Sequence, residues 1–340
     1  MQDKPVINVG VIGYGFMGRT HALAYQSAKD AGYPCRVIAI ADSALQSLEQ
    51  ESEAAGNIST GEQKFDSSLV TLMQDAHALI ERTDIDLVSI CTHTDTHVDI
   101  AIAALRAGKH VLVEKPIAID PDQIQRLADE AARSDRVCMP AMCMRYWPAW
   151  VKMNEMIRDE RHGRVRSAEF HRMGSRPTWA SEFYADETRS GGALYDLHIH
   201  DTDFILHCFG MPKSVSTSGD GLHLSTIYHY DNGPVHVLAQ GAWDHQPSVG
   251  FRMRCTIVCE RATIDFDISR EDQLVVHCGD DSEAIEVGDL SGYDTEVRAI
   301  LDRIFGHSNL PIATMQSALQ VSRILEAERN SLLNGCMVTI

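Results

Sequence analysis

Gly13, Gly15 and Gly18 make a G-x-G-x-x-G turn that follows an apolar run over residues 6–12 and opens a helix-forming stretch from Arg19. Between a strand and a helix, each glycine has a task. The first makes the tight turn, the second admits a pyrophosphate, and the third lets the helix pack on the strand. The phosphates then meet the free N–H groups and the dipole of the helix N-terminus. Phe16 and Met17 lie inside the turn and join Gly13, Gly15 and Gly18 as expected cofactor-binding residues. A second apolar run, 36–41, ends on Asp42, two dozen residues past the last glycine. An acid there accepts from ribose hydroxyls and repels a 2′-phosphate, so the chain is read as favouring NAD over NADP.

Alternation of strand and helix continues. Helices are expected over 43–56 and 67–82, strands over 86–91 and 110–113, helices over 98–108 and 122–133, and a short strand over 137–139. Such alternation implies a doubly wound parallel sheet, a Rossmann domain over residues 1–142. The run 110–113 is stopped by Glu114, Lys115 and Pro116. Ligands bind at that edge of an open α/β sheet, which places Lys115 for acid/base work and Thr92, His93, His97 and Glu114 beside the cofactor.

Past Pro148 a helix over 149–161 gives way to short alternating runs at 164–173, 213–219, 222–230, 235–243, 250–259, 262–268 and 273–278. Turn signals such as Asp231-Asn232-Gly233 separate them, and helices over 294–305 and 314–334 follow. Residues 143–340 are therefore expected to form an α/β domain with a large open, mainly antiparallel sheet.

The formal charge of −18 argues against nucleic acid, whose phosphates need clustered Lys and Arg. No apolar run is long enough to span a membrane, and the N-terminus enters a strand without a signal-peptide shape. Nine cysteines, several within apolar strands, read as reduced thiols of a cytoplasmic protein.

Asp196 and His200 are four apart and so share a helix face, with Asp203 and His207 one and two turns on. A histidine oriented by a carboxylate suits deprotonation of a hydroxyl. A helix-start cap with a satisfied polar contact is the plainer alternative. His198, His200, Asp201, Asp203 and His207 also offer metal-ligand types, but His198 and His200 diverge on a helix, so no metal is expected. The basic residues of 145–189 are interleaved with acids and read as a mixed surface; Trp179 and Tyr293 read as packing residues.

Together, Gly13–Gly18, the run from Asp95-Thr96-His97 to Glu114-Lys115-Pro116, Arg145-Tyr146-Trp147-Pro148 and Gly191-Gly192 through Asp196, His200 and Asp203 resemble the glucose-fructose oxidoreductase/inositol dehydrogenase (Gfo/Idh/MocA) family. The resemblance covers nearly the whole chain. It departs at His198, where the family often has glycine, and at Met144, where a further basic residue is common. It implies an NAD(P)-dependent dehydrogenase acting on a secondary hydroxyl of a sugar, cyclic polyol or related carbohydrate. It implies a homodimer or homotetramer paired through the C-terminal sheet. His200 would be the base, Asp196 its orienting partner, and Lys115 the stabiliser of the reacting oxygen; some members assign acid/base work to the lysine instead. Glu114 and His97 would line the nicotinamide end and Arg145 would close it. Two other functions are open: a non-catalytic nucleotide-responsive binding protein, and a redox-neutral lyase or glycosidase with retained NAD.

Overall fold

The computed structural model describes residues 5–44, 65–178, 181–307 and 312–340, in two compact units. The helix expected over 43–56 lies almost wholly outside the described residues, as does Trp179.

The first unit holds Met1–Cys143 and Ser291–Leu319. Six parallel strands, β1 (Ile7–Ile12), β2 (Cys35–Ala41), β3 (Thr71–Met73), β4 (Leu87–Ile90), β5 (His110–Glu114) and β6 (Cys138–Ala141), lie in the order β3-β2-β1-β4-β5-β6. Val9, Val11, Ile40, Leu87, Val88, Val111, Leu112 and Val113 are wholly buried. Such mostly apolar strands follow from burial of a parallel sheet on both faces. The crossovers are α1 (Phe16–Asp30), α3 (His97–Arg106) and α4 (Pro121–Arg133), with a short α2 (Ala76–Ile80) before β4. The strand order reverses between β1 and β4, which opens a crevice at their carboxyl ends.

Two expectations are corrected here. Residues 67–82 are not one helix: β3 pairs with β2, and the Asp75 side chain then caps α2 by accepting from the His77 N–H. Nor does the second unit run unbroken from residue 143. Helix α9 (Gly292–Phe305) packs in the first unit, where the Tyr33 hydroxyl donates to Asp302 at 3.2 Å and Arg298 lies over the Tyr33 ring.

The second unit comprises Met144–Leu290 and Gln320–Ile340. Its nine-stranded sheet contains β7 (Val165–Met173), β8 (Ser214–Gly219), β9 (His223–His229), β10 (His236–Ala242), β11 (Arg252–Cys259), β12 (Thr263–Asp267), β13 (Leu274–Cys278), β14 (Asp281–Ala284) and β15 (Val338–Thr339). All neighbours are antiparallel except β7 and β10. Residues on β7, β11 and β12 alternate between buried and open, so one sheet face is covered. Its cover includes Trp150 of α5 (Pro148–Arg158) and Phe204 of α8 (Ile199–Phe209), with Trp150 4.6 Å from Phe204 and 5.7 Å from Phe266 between ring centres. Each such fully buried phenylalanine contributes roughly 1.5–3 kcal/mol of transfer free energy. Two short helices, α6 (Ser181–Ala185) and α7 (Glu187–Ser190), lead to the Gly191-Gly192 pair, and α10 (Met315–Asn334) precedes β15.

Candidate active site

In the first unit the glycine turn has the shape the sequence demands. Gly13 has φ +82°, and a Cβ there would lie 2.6 Å from the Cys91 carbonyl oxygen; one on Gly18 would lie 2.0 Å from that of Gly13. At Gly15 a Cβ would meet nothing within 4 Å. The turn therefore leaves open space above Gly15 itself, where backbone can approach a ligand closely. Gly15 caps α1 without a side chain, so the first-turn N–H groups of Phe16, Met17 and Gly18 keep an anion-binding arrangement. At the end of β2, Asp42 is held by two backbone donors, Tyr14 N–H to Oδ2 at 2.7 Å and Ala44 N–H to Oδ1 at 2.8 Å. An oriented carboxylate to accept from the ribose hydroxyls, beside a glycine turn whose N–H groups can donate to the pyrophosphate, is the set a dinucleotide requires, and the residues present fit NAD.

Past β4, Thr92 and the exposed His93 form the turn into α3. The Thr96 hydroxyl sits within bonding distance of Thr92 Oγ1 (2.7 Å) and the His93 carbonyl (2.8 Å), so it does not cap the helix. His97 is buried, with Nδ1 2.9 Å from the Pro116 carbonyl and Nε2 2.9 Å from that of Thr92. Burial lowers its pKa, against the pull of those two carbonyls. The imidazole thus ties the turn after β4 to the segment after β5.

Glu114 turns inward. Its Oε1 is 2.9 Å from His21 Nε2, and its Oε2 accepts from the Lys115 N–H at 3.0 Å. His21 is itself fully buried on α1, with Nδ1 2.7 Å from Ser89 Oγ. Burial depresses His21, but its contacts with Cys91 and Glu114 outweigh that and hold it well above the ordinary histidine value. The backbone carrying Lys115 is thereby fastened to the sheet interior, while the Lys115 side chain is half-buried at the carboxyl end of β5. Lys115, Asp42 and the glycine turn all occupy the carboxyl edge of one sheet. His21 was missed from sequence; its one signal was a polar residue among the apolar positions of α1.

In the second unit, Asp196 lies in a π-helical turn, Leu194–His198, and His200 in the first turn of α8; both are half-buried. Gly191 and Gly192 precede the turn at φ +74° and +65°. The other acids and histidines of this helix go separate ways. Asp201 takes the buried Arg172 (2.8 Å), Asp203 takes Arg145 bidentately (2.8 and 2.6 Å), and His207 Nε2 lies 3.0 Å from Asn154 Nδ2. Burial lowers the Arg145 pKa, but the surrounding contacts, led by the Asp203 carboxylate, raise it on balance, so the guanidinium stays cationic. His198 turns into the core against Glu328. Among the described residues no group of three or more His, Cys, Asp or Glu is placed to hold a metal ion.

A parallel sheet of this strand order, with a glycine turn on its first strand and an acid on its second, defines the dinucleotide-binding class of oxidoreductase fold. Residues 7–142 match the family described as "Oxidoreductase family, NAD-binding Rossmann fold", and residues 150–265 match the "GFO/IDH/MocA C-terminal domain". The chain belongs to the Gfo/Idh/MocA family of NAD-binding oxidoreductases, as its motifs resembled. It is similar to the inositol 2-dehydrogenase of Rhizobium meliloti, 25% identical over 288 residues that cover 81% of this chain and 79% of that one. The myo-inositol 2-dehydrogenase of Thermotoga maritima is 28% identical over 284 residues, covering 79% and 78%. A solved levoglucosan dehydrogenase, in complex with NADH and levoglucosan, superposes with a TM-score of 0.82 at 22% identity, covering 98% of this chain and 99% of that one.

Proposed function

We propose that this oxidoreductase moves a hydride between NAD(H) and a secondary hydroxyl of a sugar, cyclic polyol or related carbohydrate. The observation that carries the reading is Lys115 on the same sheet edge as the glycine turn and Asp42. Relatives named for inositol and levoglucosan support the substrate class. Bound NAD supplies the hydride acceptor. His200 takes the hydroxyl proton as general base, and Asp196 fixes its orientation and tautomer. Lys115 hydrogen-bonds the same oxygen and stabilises the negative charge that develops there. Asp42 and the glycine turn hold the adenosine and pyrophosphate portions; Thr92, His93, His97, Glu114 and Arg145 complete the cofactor's surroundings. No helix among the described residues is long and apolar enough to cross a membrane. The free cysteines fit a reducing cytoplasm. The open face of the nine-stranded sheet, with half-exposed His171, Thr256 and Asp265, is the surface through which two copies would pair into a homodimer or homotetramer.

The test is an NAD-reduction screen over sugars, inositols, sugar acids and aryl diols, followed by Lys115→Met and His200→Ala on any substrate found. Both variants should still bind NADH while turnover falls roughly 10²–10⁴-fold, the usual contribution of a positioned acid or base. Unaltered turnover in both, or NADH binding with no reduction across the whole panel, would overturn the reading.

A further inference from the structure

The π-helical turn that carries Asp196 sits on a buried polar network that ends on Glu328, whose Oε2 makes no hydrogen bond. His198, the last residue of the turn, is wholly buried; its Nε2 lies 3.1 Å from the Tyr228 hydroxyl and 3.2 Å from Glu328 Oε2. The Tyr228 hydroxyl is 3.0 Å from Thr202 Oγ1, which donates to Glu328 Oε1 at 3.2 Å. Thr202 and Glu328 are as buried as His198, and Tyr228 nearly so. One proton arrangement satisfies every donor along this chain. His198 Nε2–H donates to Tyr228, Tyr228 to Thr202, and Thr202 to the Glu328 carboxylate. His198 Nδ1 has no hydrogen-bond partner, which suits a bare lone pair and not a second N–H. Space for the ring comes from β10, where a Cβ on Gly241 would stand 3.2 Å from Nδ1.

We propose that Glu328, through Tyr228 and His198, is the positioning device that holds this π-helical turn and so sets the bearing of Asp196 relative to His200. This rests on the assignment of those two residues to the reaction under the proposed function. An i→i+5 turn is rare within an α-helix and often marks a functional site. An α turn advances about 100° per residue and the wider turn advances less, so which one forms decides where Asp196 points relative to His200. Asp196 is inside the turn and His200 just beyond it. The buried contacts made from the wide turn are those of His198 with Tyr228 and Glu328, and a change of turn would re-aim that imidazole as well as Asp196. Glu328 and Tyr228 touch no reacting atom in this scheme; they act through His198.

The experiment uses the full chain with Glu328→Gln and Tyr228→Phe, two changes that keep volume and remove a single acceptor or hydroxyl. On a polyol that the wild type oxidises, each variant should lose at least tenfold in kcat. The NADH Kd should stay within twofold, and the limb of the pH–rate profile that reports His200 should move. Labelled-histidine NMR of the same proteins, with no substrate, should show the His200 resonances and their titration displaced from wild type. Lowered thermal stability with unchanged kcat, pH profile and His200 resonances would make the network merely structural and overturn the proposal. A wild type with no turnover on any substrate would count against the dehydrogenase reading, and the His200 resonances would still decide this one.

Discussion

Replacing Asp42 by alanine separates the two dinucleotides. Each carboxylate oxygen already accepts one backbone N–H, from Tyr14 and from Ala44. That leaves one acceptor direction on each oxygen, enough for the two hydroxyls of a ribose. A hydrogen bond to a charged group contributes about 1.5–3 kcal/mol. Two bonds to a single diol share one orientation and do not add in full, so about 2 kcal/mol is the expected loss. At 1.4 kcal/mol per decade this is roughly thirtyfold in Kd for NADH. The 2′-phosphate of NADPH would meet the carboxylate as a like charge, a repulsion of about 4 kcal/mol per charge pair at 4 Å near a protein surface. Removing it should tighten NADPH by about tenfold, part of the relief being lost to solvent screening. Asp42→Asn is the informative partner variant. It has one acceptor oxygen, cannot satisfy Tyr14 and Ala44 together, and should weaken NADH at least as much as alanine does. Fluorescence titration of NADH and NADPH against the three proteins reads all of this without a substrate. The reasoning is refuted if the wild type holds NADPH as tightly as NADH, or if Asp42→Ala changes neither affinity by more than twofold.

Two further outcomes follow from buried charges. The Val137 N–H donates to His110 Nδ1 at 2.9 Å, a bond that only the unprotonated nitrogen accepts. Burial first, then Arg136, pulls the His110 pKa from 6.5 down to about 4. The unfolded chain therefore binds more protons between these values, and stability should fall as pH drops from about 6.5 to about 4. Urea midpoints across that window should show the acid limb in the wild type and a flatter one in His110→Gln; equal limbs contradict the assignment. Asp203→Ala leaves the Arg145 guanidinium buried without its bidentate partner, side chains that are 10% and 2% exposed in the pair. Loss of one member of such a pair costs about 3–5 kcal/mol, read as a drop in unfolding free energy by denaturant titration, and a loss below 1 kcal/mol would contradict the burial argument.

The parts of this fold that were legible are those whose cause is local. Strands β1, β2, β4 and β5 are mostly apolar because both faces of a parallel sheet are covered. The glycine turn, with Asp42 after β2 and Lys115 after β5, is likewise placed by short motifs whose spacing is local. What escaped was structure made by distant partners. Strand β3 is a three-residue edge, mostly exposed, that exists through its pairing with β2, and without that knowledge residues 67–82 carry only a helical rhythm. Strand β14 is fully exposed and β15 has two residues, so neither shows an alternating pattern. The parallel β7–β10 pair and the return of α9 to the first unit are likewise decided by packing across long separations. His198 is the most instructive case. As a histidine between Asp196 and His200 it was visible as an oddity, with nothing nearby in sequence to explain it. The explanation is a trade of volume and charge across the second unit. Gly241 gives up the space that the imidazole fills, and Glu328 and Tyr228 give it partners. In this chain the imidazole at 198 takes its space from Gly241 and its polar neighbours from Tyr228 and Glu328, residues 30 to 130 positions away, and no local motif carries contacts of that range.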